Sequence, residues 1–271
     1  MTMDLSVIIV NFNTADLTQA CIESILASGS KLTIEIIVVD NGSSQKLKLS
    51  KSADLRLLAN TSNLGFAKAN NQGIKIARGE YLLLLNSDTK VKPKALDHLV
   101  GFARANPDAG VVGAKLLNLD GSVQASCLRL PTLARTLKHY WLGQKGLLDK
   151  YVPKPQVASQ VEAVVGAAFL ITPAALDKIR SLDERYFMYY EDLEYCKQVK
   201  KIGLKVYYLP TAQIIHYHGA SGKNLASDVN QWRRLIASSK IYHGSFAHYL
   251  IYLLTWTHQK VSTIWKRYLF S

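Results

Sequence analysis

The fold is decided first by residues 5–13, which read LSVIIVNFN. Residues 7–10 are all apolar and β-branched, which is typical of a strand buried on both faces of a parallel sheet. Asn11 and Asn13 follow at once, so polar side chains stand where this strand ends. The stretch therefore predicts a central strand with binding groups at its carboxyl end.

Outward from this stretch, strand and helix patterns alternate along the first half of the chain. Such alternation predicts an α/β fold, with a mainly parallel sheet flanked by helices and right-handed crossovers. Thr14 is the expected N-cap of the first helix, and Pro93 is expected in the first turn of the third. The predicted strands are 5–11, 34–39, 55–59, 81–85 and 111–116, and the predicted helices are 14–27, 66–77 and 93–105.

The second half of the chain has less regular patterns. Residues 161–171 are apolar with Gly166 among them, and the last two strands are predicted separately, at 204–209 and 212–217. Two helices within 228–270 are expected to form an extension outside the α/β unit. The other predicted helices are 133–142, 173–179 and 191–202.

The composition limits the class of protein. With 271 residues, 48% of them hydrophobic, the chain is long and apolar enough for a substantial core. Its formal net charge of +13 favours an anionic partner, which charge alone does not identify. Three widely spaced cysteines and an N-terminus without a basic leader segment favour a reduced cytoplasmic setting without a signal peptide.

Four polar clusters stand beside apolar segments, at 11–14, 40–43, 86–88 and 189–192. In an open α/β sheet the ligand binds outside the carboxyl ends of the strands, so these clusters are expected to converge. Each cluster alone is equally consistent with a helix cap or a turn, since Asn, Asp, Ser and Gly dominate both. Four of them in this order favour one shared site.

The same segments resemble the motifs of family 2 glycosyltransferases, and within that family the bacterial rhamnosyltransferase-like subgroup. The resemblance implies a GT-A fold for a catalytic domain at 1–222. It further implies a nucleotide-sugar-binding half at 1–118 and an acceptor-binding half at 119–222, and the residue pattern of 223–271 predicts C-terminal amphipathic helices. The matching segments are 6–13, 38–43, 63–73, 84–88, 187–194 and 216–221, within a resemblance that extends over residues 4–245.

The resemblance implies donor-binding roles at the strand ends. Asp40 is expected to accept a hydrogen bond from the ring imide of uracil or thymine, an edge that UDP and dTDP share. Gly65 would permit a close backbone approach, Asn70 would contact ribose or phosphate, and Gly166 would lie beside the donor sugar. The other implied substrate contacts are Val10, Asn11, Asn13, Asn41, Asn86 and Ser87.

A divalent metal is the implied cofactor, because it neutralises a diphosphate leaving group and prefers carboxylate ligands. The family's Asp-x-Asp motif is incomplete here, since Asn86 stands at the first acidic position. Asp88 is then the principal ligand, and the resemblance gives His216 as the second, against the alternative of an ordinary histidine at a strand end. A histidine ligand favours Mn²⁺ somewhat over Mg²⁺, and both fit.

Inversion at the sugar requires a general base on the face opposite the leaving group. The resemblance places this base at Asp192, with Glu191 as the second choice, and Glu194 is expected to contact the acceptor. These acids also suit the start of a helix, where they complement the macrodipole. The implied reaction is transfer of one sugar, with rhamnose from dTDP-rhamnose as the first choice and a UDP-hexose donor as the alternative.

The residue pattern of the C-terminal tail predicts that it binds a membrane. Its apolar residues form a predicted helical stripe opposite a polar face, which is typical of an interfacial helix on an anionic membrane. The acceptor would then be a lipid-linked saccharide of bacterial cell-surface polysaccharide synthesis, at the inner face of the cell membrane. A helix packed on the core or on another subunit, as in a dimer, is the alternative. The stripe comprises Leu250, Leu253, Leu254, Val261, Ile264, Trp265 and Tyr268.

Two other classes of protein remain as alternatives. A sugar nucleotidyltransferase opens with a Gly-rich loop after its first strand, whereas residues 11–16 contain no glycine. A non-catalytic module that binds nucleotide sugars or nucleic acid would explain the positive charge. The acids at the strand ends disfavour a polyanion groove, so no nucleic-acid partner is predicted.

Overall fold

The computed structural model describes residues 3–45, 47, 54–154, 157–217 and 228–269, with the side chains of 228–233 and 264–269 outside that description. The strands are β1 (Met3–Asn11), β2 (Ile34–Asp40), β3 (Leu55–Ala59), β4 (Gly79–Asn86), β5 (Thr89–Val91), β6 (Ala109–Leu117), β7 (Val123–Gln124), β8 (Cys127–Leu128), β9 (Ser159–Val161), β10 (Ala163–Val164), β11 (Ala168–Ile171) and β12 (Lys205–His216). The helices are α1 (Ala15–Leu26), α2 (Phe66–Ile76), α3 (Ala95–Ala105), α4 (Leu133–Trp141), α5 (Pro173–Ile179), α6 (Glu191–Lys201), α7 (Asp228–His243) and α8 (Ser245–Leu269).

One large sheet organises the molecule, with the strand order β3-β2-β1-β4-β11-β6-β12-β5. The long ladders β1–β2, β1–β4, β2–β3 and β6–β12 are parallel. The antiparallel ladders that β11, β5, β7 and β9 form are short. The predicted α/β fold with a mainly parallel sheet and flanking helices is therefore confirmed. The half of the sheet that contains β11, β6, β12 and β5 also has antiparallel strands that the pattern did not predict.

The sheet buries apolar side chains on both faces, because successive residues of a strand point to opposite sides. Leu5, Val7 and Ile9 belong to the core cluster that α1 and α3 cover. Ile8 and Leu84 belong to the cluster on the other face, under α2, α5 and α6. This double burial explains the unbroken apolar run in β1, and the three cysteines lie buried as free thiols.

A buried acid stabilises the β1–β2–β4 end that lies opposite the predicted site. Glu35 is fully buried and accepts hydrogen bonds from the Ser6 hydroxyl at 2.6 Å and from the Arg56 guanidinium at 2.5 Å. Arg78 adds its backbone N–H at 2.5 Å and its Nε at 3.2 Å. Burial acts to raise the pKa of Glu35, but these hydrogen bonds and the arginine charges together hold that pKa below its ordinary value.

The predicted start of the third helix is wrong. Helix α3 begins at Ala95, because Lys94 has a left-handed conformation with a φ of 64°. The Ala95 N–H donates to the Lys92 carbonyl at 3.1 Å, which closes a tight turn. Pro93 therefore lies inside this turn, where its fixed φ is suitable, and not in the first turn of the helix.

The last two predicted strands are one strand. β12 runs without interruption past β6, but its pairing register shifts between Leu209 and Gln213. Pro210 lies in that interval and has no N–H to donate to the ladder, so an irregularity is expected there. This irregularity explains why the sequence pattern predicts two strands instead of one.

The predicted apolar stripe of the tail is not exposed over its whole described length on α8. Leu254 lies on the face against α4, where its carbonyl accepts a hydrogen bond from Trp141 Nε1 at 3.0 Å, and Leu253 is exposed. Leu250 and Leu254 are only partly exposed, so the predicted stripe is partly covered by the protein. Ile264, Trp265 and Tyr268 of the predicted stripe lie outside the described side chains. Among the described helices, none is long and apolar enough to cross a bilayer.

Candidate functional site

The carboxyl ends of β1, β2 and β4 lie side by side at one edge of the sheet. Asn11 pairs in register with Asp40 of β2, and Val10 pairs with Asn86 of β4. Val10 is partly exposed there, as a residue beside a ligand would be. Three of the four polar clusters therefore begin on three adjacent strands.

Further contacts connect the third cluster to the first and to the fourth. The hydroxyls of Thr14 and Ser87 lie 3.0 Å apart in a buried hydrogen bond. The Gly166 N–H donates to Asp192 Oδ2 at 3.0 Å, and the carbonyl of the next residue accepts from the Asn86 N–H at 3.0 Å. All four clusters thus meet at one site.

Asn11 is the centre of this hydrogen-bond network. Its fully buried side chain donates to Asp40 Oδ1 and to the Ser43 hydroxyl, both at 3.0 Å. Its carboxamide oxygen accepts from the hydroxyls of Thr14 at 3.0 Å and Thr18 at 2.9 Å. The side chain therefore fixes its protein neighbours, and the predicted contact of Asn11 with the base, which involves backbone groups, stays a prediction.

Asp40 is held by one oxygen and open at the other. Its Oδ1 accepts from Asn11 Nδ2, from the Ser43 hydroxyl at 2.5 Å and from the Ser43 N–H at 3.3 Å. Within the described part of the chain, no hydrogen bond ends on Oδ2, which leaves that oxygen for a ligand. Asn13, with a left-handed φ of 55°, closes the loop by accepting from the Ser44 N–H at 2.8 Å.

Asn41 joins β2 to the loop before α2. Its backbone N–H donates to the Asn11 carbonyl at 2.8 Å, and its side chain donates to Asn63 Oδ1 at 2.9 Å. Its carboxamide oxygen accepts from the Leu64 N–H at 3.0 Å. Because the side chain is buried and bonded at both ends, Asn41 shapes the loop, and a direct substrate contact does not fit.

Gly65 permits a close approach, but the neighbour is the chain itself. Its φ is 91°, and a Cβ at this position would lie 2.5 Å from the Phe187 carbonyl oxygen. The same carbonyl accepts from the Phe66 N–H at 2.7 Å, which attaches the segment before Glu191 to the start of α2. Asn70 is buried and donates to the Phe66 carbonyl at 2.9 Å, so the predicted contact with ribose or phosphate does not fit.

Asp88 and His216 form the pair that the sequence predicts as metal ligands. His216 Nε2 lies 3.4 Å from Asp88 Oδ1 and 3.5 Å from Asn86 Nδ2, and both ligand candidates are buried. Gln124 Oε1 lies 2.7 Å from His216 Nδ1 and can only accept, so Nδ1 carries the proton and Nε2 offers its lone pair. Gln124 Nε2 donates to Asn118 at 2.9 Å, which fixes the orientation of the carboxamide.

This arrangement fits a divalent cation. A metal-binding histidine usually donates its other N–H to an oxygen that fixes its tautomer, as His216 does to Gln124. Within the described residues, no group of three or more His, Cys, Asp or Glu side chains is arranged to hold a metal. Asp88 and His216 would therefore supply only part of a coordination shell, and other ligands such as phosphate oxygens would have to complete it.

Asp192 and Glu191 start α6 in different environments. Asp192 is partly exposed and accepts from the Gly166 N–H through Oδ2 and from the Leu193 N–H at 2.8 Å through Oδ1. Burial raises the pKa of Asp192 against the effect of these two N–H groups. Burial also raises the pKa of Glu191, and the neighbouring charge of Asp192 adds to the effect.

Glu191 faces inward, toward a small cavity. The carboxyl is buried, and among the described residues its Oε2 has no hydrogen-bond partner. An acid in such surroundings is favoured in its protonated form. The cavity is lined by Phe66, Leu84, Gly166, Phe169, Leu182 and Asp192 together with Glu191 itself.

The segment before the acid pair is strained, and α7 supports it. Tyr189 and Tyr190 both have left-handed φ values, 70° and 71°, which is rare for residues with side chains. The Ser238 hydroxyl of α7 donates to the Met188 carbonyl at 2.9 Å, and the Tyr242 ring lies 5.2 Å from that of Tyr190. Strain of this kind persists only where surrounding contacts enforce it. The sequence patterns did not reveal this support.

Two other predicted contacts of the site stay predictions. Glu194 forms an ion pair with Lys197 at 3.1 Å, one turn further along α6, so its contact with an acceptor stays a prediction. A Cβ on Gly166 would lie 3.7 Å from both Asp192 and Phe66, an ordinary contact distance, so its role beside the donor sugar also stays a prediction. The matching segment after His216, residues 218–221, lies outside the described residues.

Comparison with known proteins finds a family model and relatives that agree with one another. A family model described as glycosyl transferase family 2 matches residues 6–143. The N-acetylglucosaminyl-diphospho-decaprenol L-rhamnosyltransferase of Mycobacterium tuberculosis is 30% identical over 230 residues, which cover 76% of this chain and 75% of that protein. The low-salt glycan biosynthesis hexosyltransferase Agl10 of Haloferax volcanii is 26% identical over 255 residues, covering 90% of this chain and 78% of that one.

A solved structure supports the fold. The crystal structure of GalNAc-T7 with UDP, GalNAc and Mn²⁺ matches with a TM-score of 0.64 at 16% sequence identity. The match covers 79% of this chain and 43% of the longer chain of GalNAc-T7. At this level of identity the likeness concerns the fold alone, which is the GT-A arrangement.

Proposed function

Because this chain belongs to glycosyl transferase family 2 and has the GT-A fold, we propose that it transfers a sugar with inversion from a nucleoside diphosphate donor to an acceptor hydroxyl. Rhamnose from dTDP-rhamnose is the first choice of donor, and a UDP-hexose is the second. The name of the mycobacterial relative refers to L-rhamnosyl transfer and to a lipid-linked N-acetylglucosaminyl group. That name supports both rhamnose and a lipid-linked saccharide acceptor in cell-surface polysaccharide synthesis.

One observation carries the proposal: three acidic groups with different environments meet at the same edge of the sheet. Asp40 offers one free oxygen, Asp88 lies beside the His216 imidazole, and Asp192 stands on the turn at Gly166. A base-binding acceptor, a metal-binding pair and a partly exposed carboxylate are the groups that sugar transfer from a nucleotide requires. They are connected through the Asn86 backbone and through the buried Asn11 network.

In this reaction Asp192 would accept the proton of the acceptor hydroxyl through one of its carboxylate oxygens. The acceptor oxygen forms its bond to the anomeric carbon while the bond from that carbon to the diphosphate oxygen breaks. The electron pair of the broken bond leaves with the diphosphate, so no covalent intermediate is needed. The hydrogen bonds from Gly166 and Leu193 orient the carboxylate, and its raised pKa makes it a stronger proton acceptor.

Asp40 would accept the imide N–H of the base through Oδ2, because Oδ1 is already bonded to Asn11 and Ser43. Asp88 and His216 would hold a divalent cation, Mn²⁺ or Mg²⁺, together with the donor diphosphate. When bound, such a cation neutralises the charge on the leaving group. Asn86 would contribute its carboxamide near the diphosphate in place of a second acid.

The base assignment is tested by Asp192→Asn, which keeps the shape of the side chain and removes its basicity. Loss of a positioned general base is expected to reduce kcat by about 10²–10⁴-fold. Donor KM should change little, because Asp192 does not contact the base or the diphosphate in the proposed arrangement. Asp177→Asn, at an exposed position of α5, is the matched control. Full activity of Asp192→Asn at saturating substrates would exclude the assignment.

The donor and metal are tested by thermal shift with UDP- and dTDP-sugars, each with and without Mn²⁺. A ligand that binds only the folded state raises the melting temperature, so the preferred nucleotide should give the largest shift and Mn²⁺ should increase it. Asp40→Asn should abolish the preference for the uracil or thymine base. Equal shifts with and without Mn²⁺ would contradict the metal assignment.

A further inference from the structure

Helix α8 carries a continuous apolar stripe that the rest of the described chain leaves exposed. Phe246 is 79% exposed, Tyr252 60% and Trp256 45%, and Tyr249 and Leu253 are exposed between them. At about 100° per residue these five positions fall on one side of the helix. Large exposed apolar patches of this kind mark interaction surfaces. We refer to the five residues as the α8 stripe.

The charge beside the stripe is positive. Lys240 Nζ hydrogen-bonds the Tyr249 hydroxyl at 2.9 Å, and Lys260 Nζ lies 5.8 Å from the centre of the Trp256 ring. Helix α8 contains three basic residues and no acidic one along Ser245–Leu269. Aromatic rings with polar edges, lysines next to them and no acid are the composition of an interfacial helix on an anionic bilayer.

The opposite side of α8 is occupied by the protein. The Leu254 carbonyl accepts from Trp141 of α4, and the His258 ring lies 5.1 Å from the ring of Tyr140. His248 hydrogen-bonds Ser239 of α7 at 2.9 Å. The helix is therefore fixed in rotation, so that its aromatic side faces outward as a preformed surface.

Helix α7 connects this surface to the acid pair. It contacts α8 through Ser239 and Lys240, and it contacts the segment before Glu191 through Ser238 and Tyr242. Helix α7 therefore contacts both α8, which carries the α8 stripe, and the segment with the left-handed Tyr190. A bilayer bound by the stripe would lie on the side of the molecule where α7 supports the acceptor-activating residues.

We propose that the α8 stripe is the membrane-docking surface of this protein and that its partner is the headgroup region of an anionic bilayer. The stripe enters to headgroup depth, while Lys240 and Lys260 contact lipid phosphates. This inference deepens the proposed use of a lipid-linked acceptor, and it names a surface different from the stripe through Leu250 and Leu254 that the sequence pattern predicts.

The test uses the full chain and vesicles of phosphatidylglycerol with phosphatidylcholine, with pure phosphatidylcholine vesicles for comparison. A triple variant, Phe246→Ser, Leu253→Ser and Trp256→Ser, removes the apolar part of the stripe. A matched control, Leu26→Ser with Leu119→Ser, removes exposed leucines elsewhere. Vesicle partitioning of the triple variant is expected to fall by about tenfold or more, and the control should bind as the unchanged protein does.

Donor hydrolysis without vesicles is measured for each variant in parallel. Unchanged hydrolysis with lost vesicle binding supports the proposal, because the stripe is outside the candidate site. Unchanged vesicle binding by the triple variant overturns the proposal. The proposal is also overturned if the unchanged protein binds no vesicles and forms a concentration-dependent dimer that the three substitutions dissociate. Vesicle binding without any donor hydrolysis would support the proposed membrane-docking surface and contradict the proposed function.

Discussion

Gln124 is expected to tune the metal site through His216, although it contacts no substrate in the proposed arrangement. Its Oε1 accepts from the buried imidazole at 2.7 Å and its Nε2 is bonded to Asn118. Gln124→Met keeps the length of the side chain but removes the acceptor. The tautomer and ring orientation of His216 are then no longer fixed.

The magnitude follows from what the hydrogen bond does. Loss of an outer partner of a metal-binding histidine typically weakens metal affinity by about 10–100-fold, or about 1.4–2.7 kcal/mol. Loss of this hydrogen bond would in addition lower the free energy of unfolding by about 1–3 kcal/mol, because His216 is buried and water replaces the Gln124 partner poorly. The two effects are separable, since only the first depends on metal.

The assay is calorimetric titration of Mn²⁺ into protein saturated with the preferred nucleoside diphosphate, with urea unfolding measured in parallel. Gln19→Met is the control, because Gln19 bonds only Glu23 on the same helix among the described contacts. His216→Ala is titrated as well. If His216→Ala weakens Mn²⁺ binding and Gln124→Met does not, the positioning role of Gln124 is refuted. If neither variant weakens it, the metal site itself is wrong.

Three further predictions concern stability and pH. Glu35→Gln should lower the free energy of unfolding by about 2–4 kcal/mol in urea, less than the loss from a fully buried pair because both arginines reach solvent. Since the pKa of Glu35 is lowered in the folded protein, its contribution to the free energy of unfolding is complete above about pH 4.3 and is lost as the pH falls further. The free energy of unfolding of the variant should therefore depend less on pH in the acid range than that of the unchanged protein. The acid limb of kcat/KM should have its midpoint above the ordinary aspartate value of about 3.9, because burial raises the pKa of Asp192, and Glu191→Gln should retain activity and leave that midpoint in place, since protonated Glu191 carries no charge there; a limb that moved would show that Glu191 is ionised in the pH range where Asp192 titrates. Gly65→Ala should cost more than about 2 kcal/mol and displace the acid-pair segment, whereas Gly203→Ala, with a similar positive φ but open space around it, should cost only about 1–2 kcal/mol, as comparative melting and activity would reveal.

The order of strands and helices could be predicted because it depends on local pattern. The apolar run in β1, the strand ends at Asp40 and Asn86, and the helix that begins at Glu191 are where the sequence predicts them. A strand buried on both faces must be apolar throughout, and a chain that leaves such a strand must become polar. The convergence of the clusters follows from the parallel topology, which is a consequence of the alternation.

The roles of individual asparagines could not be predicted in this way. Asn11, Asn41 and Asn70 stand in the predicted clusters, but the structure uses their side chains to bond the protein itself. A carboxamide at a strand end has the same sequence signature whether its partner is a ligand or a neighbouring loop. Only the positions of the partners distinguish the two cases, such as Asp40, 29 residues from Asn11, and Asn63, 22 residues from Asn41.

The α/β architecture and the family thus followed from the sequence, and the sequence also predicts Asp40, Asp88 and Asp192 as site residues, because periodicity and short motifs are written in contiguous residues. The tertiary structure alone decided that Gln124 orients His216 and that α7 supports Tyr190. It also decided which side of α8 is exposed. These features depend on packing between distant segments, and the side of α8 that packs against α4 and α7 is set by those neighbours.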